Sequence, residues 1–318
     1  MSWTCSELKT RAKYSLTNKY WSALLASLIL VGITYGVTWI ISLFSSFAMI
    51  PAFFSTLLNN SYSYNTAYGG YAFFQVMTTF LPSIAITMVL SILPQFFLYS
   101  PMTVGGNNWY SRNREMPSRP NYKTLFCAFQ SKHYLKVVGA TAYPFLFQLL
   151  WSLPYIGSYI LFFVFFAVSS NSDSSLLMLT PLLLLVTLGL LALPIIASLR
   201  YTFIPWILAD NPEIGYRRAM ELSKQMTYGQ KGHIFGLYWS FFPWYLAVLG
   251  AAFLTCGFGA VSIVFLVPYL QATQAELYAQ CRHNAIQSGL CSFEELGFLP
   301  QSAPQPQASP SNPNGPAM

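Results

Sequence analysis

The chain has 318 residues, of which 54% are hydrophobic, 17% aromatic and only 8% charged, against the roughly 25% charge of a soluble globular domain. That balance excludes a string of soluble cores and describes a protein whose main solvent is lipid. The net charge of +7 comes with no nucleic-acid-binding module, so no nucleic-acid partner is expected, and the basic excess is assigned to loops beside an anionic inner leaflet.

Residues 1–20 carry Lys9, Arg11, Lys13 and Lys19 ahead of the first apolar run, residues 21–44. A run of that length behind a long basic segment reads as a retained first span rather than a removable leader. Within the basic segment Leu8, Ala12 and Leu16 recur at helical spacing, with Lys9, Arg11 and Lys13 on the other side, which predicts a helix lying on the inner leaflet. Residues 45–75 are rich in Asn, Ser, Tyr and Gly, and "AMIPAFFSTLL" at 48–58 is too short to span; a separate helix at the outer interface is expected there.

Further apolar runs cover residues 80–100, 137–168, 176–208, 234–254 and 257–277, each long enough for the roughly 20 residues a spanning helix needs. With six spans and an inner N-terminus, every one of the sixteen Lys and Arg residues falls on the inner side, as the positive-inside bias demands. Splitting the long third run would move Arg217, Arg218, Lys224 and Lys231 outside, so the third run, with Pro144, Pro154 and Gly157, is read as one tilted and kinked span. A re-entrant piece within it stays open.

Two motifs recur three times. "SLTNKYW" (15–21), "AFQSKHY" (128–134) and "TYGQKGH" (227–233) precede the odd spans. "PMTVGGN" (101–107), "PWILADN" (205–211) and "PYLQATQ" (268–274) stand at the inner ends of the even ones. The expected fold is therefore all-α: a polytopic membrane protein with six transmembrane helices in three helical hairpins, each preceded by an amphipathic inner-surface helix. The membrane domain covers residues 1–284, with repeat units of about 6–110, 122–212 and 213–284. Residues 285–318, ending in an uncharged Pro-rich stretch, are expected to form a disordered cytoplasmic tail.

Between the fourth and fifth spans, Tyr216, Ala219, Met220, Leu222, Ser223 and Met226 share one helical side, with Arg217, Arg218, Glu221, Lys224 and Gln225 on the other. Asn211, Pro212 and Glu213 read as the cap and first turn of that helix. Asp210 is either part of the cap, the favoured reading, or a partner for a nearby base.

No Walker loop, nucleophile elbow or H-E-x-x-H motif is present, so no catalytic residue, metal or cofactor is assigned and the chain is not expected to be an enzyme. The two aspartates, Asp173 and Asp210, fall on opposite sides of the membrane in this topology, which rules out an aspartate dyad. His133, His233 and His283 read as interfacial rings, and the five cysteines as free thiols without paired spacing. Ionisable groups at the edge of a span are costly and usually paired. Arg200, Asp210, Asn211 and Glu276 are accordingly expected to form a polar cluster joining the second and third hairpins, structural in role, with substrate binding or proton relay the alternative.

With "RYTFIPWILADNP" (200–212), "SFFPW" (240–244), "PY" (268–269) and "AELY" (275–278) in view, the region from Arg200 onward resembles a bacterial membrane-protein family, domain of unknown function 975. Weaker similarity runs from Glu7 to Arg282. The resemblance implies a six-span protein of the bacterial inner membrane and brings no activity. Pro243 stands where the family's Gly is expected before Trp244 and implies a bend in the fifth span. The expected partners are membrane lipids of the anionic inner leaflet and other membrane proteins. The role expected is scaffold, accessory factor or lipid-interacting component, with an exporter of small or lipophilic molecules as the alternative.

Overall fold

The computed structural model describes residues 3–60, 85–130, 132, 134–169, 179–255 and 258–297. Among them there are helices and turns and no strands. Asp173, Cys256, His133 and the Pro-rich end of the chain lie outside the described residues.

Helix α1 (Cys5–Leu16) starts where the Thr4 hydroxyl accepts the Glu7 backbone N–H, the T-x-x-E arrangement of a capping box. It buries Leu8, Ala12 and Leu16. A turn through Asn18, which adopts φ 62°, leads into α2 (Tyr20–Asn60). The expected separate outer helix is absent: residues 48–58 prolong α2 through Pro51 without a break. Helix α3 (Ala85–Glu115) contains a π-helical turn at Gln95–Tyr99. A 3-10 turn at Tyr122–Phe126 and the short α4 (Cys127–Gln130) follow.

The third apolar run is one uninterrupted helix, α5 (Tyr134–Ser169), carrying Pro144 and Pro154 internally. Its 36 residues extend about 54 Å, which leaves no re-entrant break among the described residues. The fourth run is segmented into α6 (Thr180–Leu190), α7 (Ala192–Tyr201) and α8 (Ile204–Asp210). The fifth divides into α10 (Lys231–Trp239) and α11 (Phe242–Leu254), after the intervening α9 (Tyr216–Thr227). Pro243 sits in the first turn of α11, where its missing N–H costs nothing. Between the two helices the Ser240 carbonyl accepts a hydrogen bond from Lys9 Nζ at 3.2 Å. A 3-10 turn (Phe258–Ser262) and α12 (Ile263–Gln287) complete the order.

Among the described residues five stretches are long and apolar enough to cross a membrane: Tyr20–Phe47, Ala85–Glu115, Tyr134–Phe166, Thr180–Asp210 and Lys231–Leu254. α12 is not among them, and Gln271, Thr273, Gln274 and Glu276 follow its apolar first turns.

The short elements close a ring. α1 packs on α12, the 3-10 turn and α4 pack on α3, and α9 packs on α5, α7 and α8. Each short element thus lies on long helices that precede it in the chain, and the first lies on the last. The apolar faces of α1 and α9 are consequently covered by the protein's own helices rather than by lipid: Leu8, Ala12, Ala219 and Leu222 are all fully buried. α3, α8 and α12 meet inside this ring. There Gly105 approaches so closely that a Cβ would come within 1.9 Å of the Leu125 carbonyl oxygen.

Candidate functional site: an ionic lattice where three helix ends meet

The ends of α3, α8 and α12 bring charged side chains into one connected lattice. α3 contributes Arg114 and Glu115 in its last turn, α8 ends on Asp210, and α12 supplies Glu276, Tyr278 and Arg282 from successive turns. Arg282 lies at the centre. Its guanidinium donates to Asp210 Oδ2 at 3.0 Å and to Glu115 Oε1 at 2.8 Å. The Tyr278 hydroxyl donates to the same Asp210 oxygen at 2.6 Å. Arg114 Nε lies 3.0 Å from Glu276 Oε2, and its Nη1 is 3.7 Å from Glu115.

Burial makes these pairs costly to break. The side chains of Asp210, Glu276 and Arg282 are 7%, 5% and 14% exposed, so each charge depends on its partner for compensation. Aromatic packing fixes the geometry: the Trp206 ring stacks on Tyr278 with centroids 5.6 Å apart, and Phe203 lies 5.8 Å from the same ring. Asn108 Nδ2 donates to the Ala209 carbonyl at 2.7 Å and ties α3 to α8 one residue before the lattice. Beside the lattice opens a groove of about 910 Å³ whose walls include Arg11, Lys19, Arg114, Glu115 and Glu276.

Of the four residues singled out in the sequence, the lattice contains Asp210 and Glu276. Asp210 is the partner of a base and not part of a cap. Asn211 does not cap α9 either: its Oδ1 accepts the Glu213 N–H in a local turn, and the helix begins later, at Tyr216, after Gly215 in extended backbone. The Asn211 amide instead donates to the Glu295 carbonyl. Arg200 stands apart. It belongs to α7, ten residues and one chain break before Asp210, or about 15 Å along a helix, and its guanidinium lies over the Trp151 ring at 5.1 Å.

Arg114, Glu115, Tyr278 and Arg282 were not anticipated. A signal for two of them exists: Glu115 and Arg282 both stand fourteen positions after a motif proline, Pro101 and Pro268, and they pair with each other. Corresponding register in two copies of a motif brings corresponding positions together.

Residues 285–297 are also not a free tail. α12 runs to Gln287, Cys291 and Leu296 are buried, and Arg218 forks onto Glu295 at 2.5 and 3.1 Å and onto the Leu290 carbonyl at 2.8 Å. The Arg218 hydrogen bonds hold the Glu295 carboxyl below its ordinary range, and the same pairing raises Arg218. Burial pushes the Cys281 thiol up to about 12 and raises Cys291, so neither is poised as a nucleophile.

The family model described as "Protein of unknown function (DUF975)" matches residues 1–285. No curated protein and no solved structure matches the chain.

Proposed function

The chain belongs to the DUF975 family, and on that premise we propose that it is a non-enzymatic, multi-pass component of the bacterial plasma membrane, acting as a scaffold, accessory factor or lipid-interacting protein. In this reading six spans form three two-span hairpins, with α12 and the turn before it supplying the sixth. α1, the 3-10 turn with α4, and α9 are the three inner-surface connectors of a threefold internal repeat. Both termini are cytoplasmic.

The observation that carries the reading is the ionic lattice. Its charges come from the ends of α3, α8 and α12 and are matched to one another, as in a device that locks helices together. The ring of short elements supports the repeat, because the second and third lie on helices that precede them and the first lies on the last helix. The basic inner face supports contact with anionic lipid and with neighbouring membrane proteins.

Affinity purification of the full chain from native membranes, with co-purifying lipids and proteins identified together, tests the role. Reproducible recovery with acidic phospholipid or a defined membrane-protein partner is the expected result; an energy-coupling ATPase as the stable partner would replace it with a transport role. Cysteine labelling from each side of the membrane tests the topology, with positions 112–136, 212–230 and 285–297 expected to react only from the cytoplasm.

One feature favours the exporter alternative. A cleft of about 430 Å³ between α2, α3 and α5 is lined by Thr34, Thr38 and Gln95 among apolar residues, beside the π-helical turn. Efflux of a lipophilic dye from vesicles containing the full chain, lost on Gln95→Leu, would establish it.

A further inference from the structure

Beside the middle of α5, where α7 and α9 pack on it, the charge balance differs from that of the lattice. Arg200 of α7 lies over the Trp151 ring at 5.1 Å. Lys224 of α9 lies over Phe147 at 5.9 Å and over Tyr201 at 5.8 Å. Phe147 and Trp151 are one helical turn apart on α5, so the two cations are stacked along one face of that helix. The Ser223 hydroxyl donates to the Arg200 carbonyl at 2.8 Å and fixes the two elements against each other. Lys231 opens α10, which packs on α7, the helix of Arg200.

Among the described residues none of these three cations has a carboxylate within 4.0 Å. The acids nearby are engaged elsewhere: Glu221 is placed against Arg218 and Gln225, and Glu295 against Arg218. Rings beneath the cations attract them through their faces but supply no counter-charge. A comparable but smaller grouping occurs at α1, where Lys9 and Lys13 lie over Phe241 and Tyr269. There the Lys9 ammonium is already bonded to the Ser240 carbonyl, which leaves the Arg200 group the more demanding of the two.

We propose that Arg200, Lys224 and Lys231 form a binding site for the phosphate of an acidic phospholipid, taken from the inner leaflet. Arg200 offers the planar fork that suits phosphate oxygens. Lys224 and Lys231 supply point charges on either side. The acyl chains lie along the exposed apolar surface of α5, where Leu146, Leu149, Leu150 and Leu153 face outward. The inference rests on the lipid-interacting reading and narrows it to one position in the fold.

Native mass spectrometry of the full chain in detergent, titrated with phosphatidylglycerol, phosphatidylcholine or inorganic phosphate, provides the test. Wild type is expected to retain phosphatidylglycerol several-fold better than phosphatidylcholine. Each neutralised cation is expected to weaken phosphatidylglycerol binding about fivefold, and Arg200→Gln with Lys224→Gln about twenty- to thirtyfold. The same double charge loss at Arg119 and Lys123, on the loop after α3, is expected to change it less than threefold, and Lys224→Arg to leave it unchanged. Equal losses in the two double variants would overturn the site while leaving the lipid-interacting reading standing. No preference for phosphatidylglycerol in wild type would overturn both. Inorganic phosphate binding as tightly as the lipid, and displacing it, would overturn the lipid as the source.

Discussion

The layer around the lattice and the long apolar stretches follow different rules. Around the lattice, side chains such as Trp109, Tyr110, Phe203, Leu208 and Tyr278 are all but fully buried. Over the most apolar 18 residues of each long stretch no more than 22% are buried, and over those of α5 none are, its buried Val137, Val138 and Ala140 lying nearer its start. Leu185, Leu149 and Trp39 are each more than two-fifths exposed. Lipid tails solvate such residues as well as a protein core does, so helix association there has no hydrophobic drive. Around the lattice apolar faces are withdrawn from solvent against one another, which restores that drive. The fold is therefore expected to be held by the layer around the lattice.

The severest way to break that contrast is to leave a lattice charge unmatched. Arg282→Gln removes the partner of both Asp210 and Glu115 and is expected to destabilise the chain by about 3–5 kcal/mol, the cost of orphaning a buried charge. Asp210→Asn combined with Arg282→Gln is expected to recover part of the loss. Thermal unfolding in detergent, or yield of folded protein, measures both; if Arg282→Gln alone were neutral, the lattice would not be what joins the three helices.

Side-chain truncation sharpens the comparison at lower cost. Leu208→Ala, at a fully buried position, is expected to lose about 2–5 kcal/mol through lost contacts and a cavity. Leu185→Ala, 68% exposed in the same apolar stretch, opens no cavity and is expected to change stability by less than about 0.5 kcal/mol. Equal losses would show that the long apolar stretches are covered by something beyond lipid.

Glycine offers the reverse test, addition instead of removal. Gly105→Ala drives a methyl group into the Leu125 carbonyl and is expected to cost about 1–3 kcal/mol by forcing the 3-10 turn off α3. Gly36→Ala and Gly250→Ala meet nothing within 4 Å and are expected to be neutral or to gain up to about 1 kcal/mol from helix propensity. Denaturation midpoints of the three variants rank the sites.

Sequence periodicity located the helices and the buried faces of α1 and α9 because both signals are local: Leu8, Ala12 and Leu16 need only the 3.6-residue repeat to be recognised. The motif prolines did not mark helix ends in the same way: α3 continues past Pro101 to Glu115 and α12 past Pro268 to Gln287. What covers a face is not local. α1 was expected to rest on the leaflet and rests on α12, because the partner is some 260 residues away in the chain. The site divided along the same line. Asp210 and Glu276 could be named from the cost of charge at a span's edge, but Arg282 and Glu115 pair across the ring. Arg200, near Asp210 in sequence, is held apart by the break before α8. The cap misassigned to Asn211 has a nearer cause: Asn-Pro-Glu also suits a free-standing turn, and α9 starts only after Gly215.

The smallest effect separates residues 288–297 from the rest of the layer around the lattice. Glu295 is held below its ordinary value of 4.5 by hydrogen bonds from Arg218. A carboxylate with a depressed folded-state value stabilises the docked segment fully above the unfolded value and loses that contribution as pH falls through the folded one. Residues 288–297 are therefore expected to stay docked from neutral pH down to about 4.5 and to loosen only below it. The pair is partly exposed, so about 0.5 kcal/mol is at stake, and Leu296 and the Asn211 contact persist when it is lost. Acid-stable protease cleavage at Leu290 or Phe293 is expected to quicken two- to threefold below pH 4.5 in wild type. Glu295→Gln is expected to show the faster rate at every pH. Cleavage of wild type that is already rapid at neutral pH, and unaltered by the substitution, would return this segment to the free tail that its composition suggests.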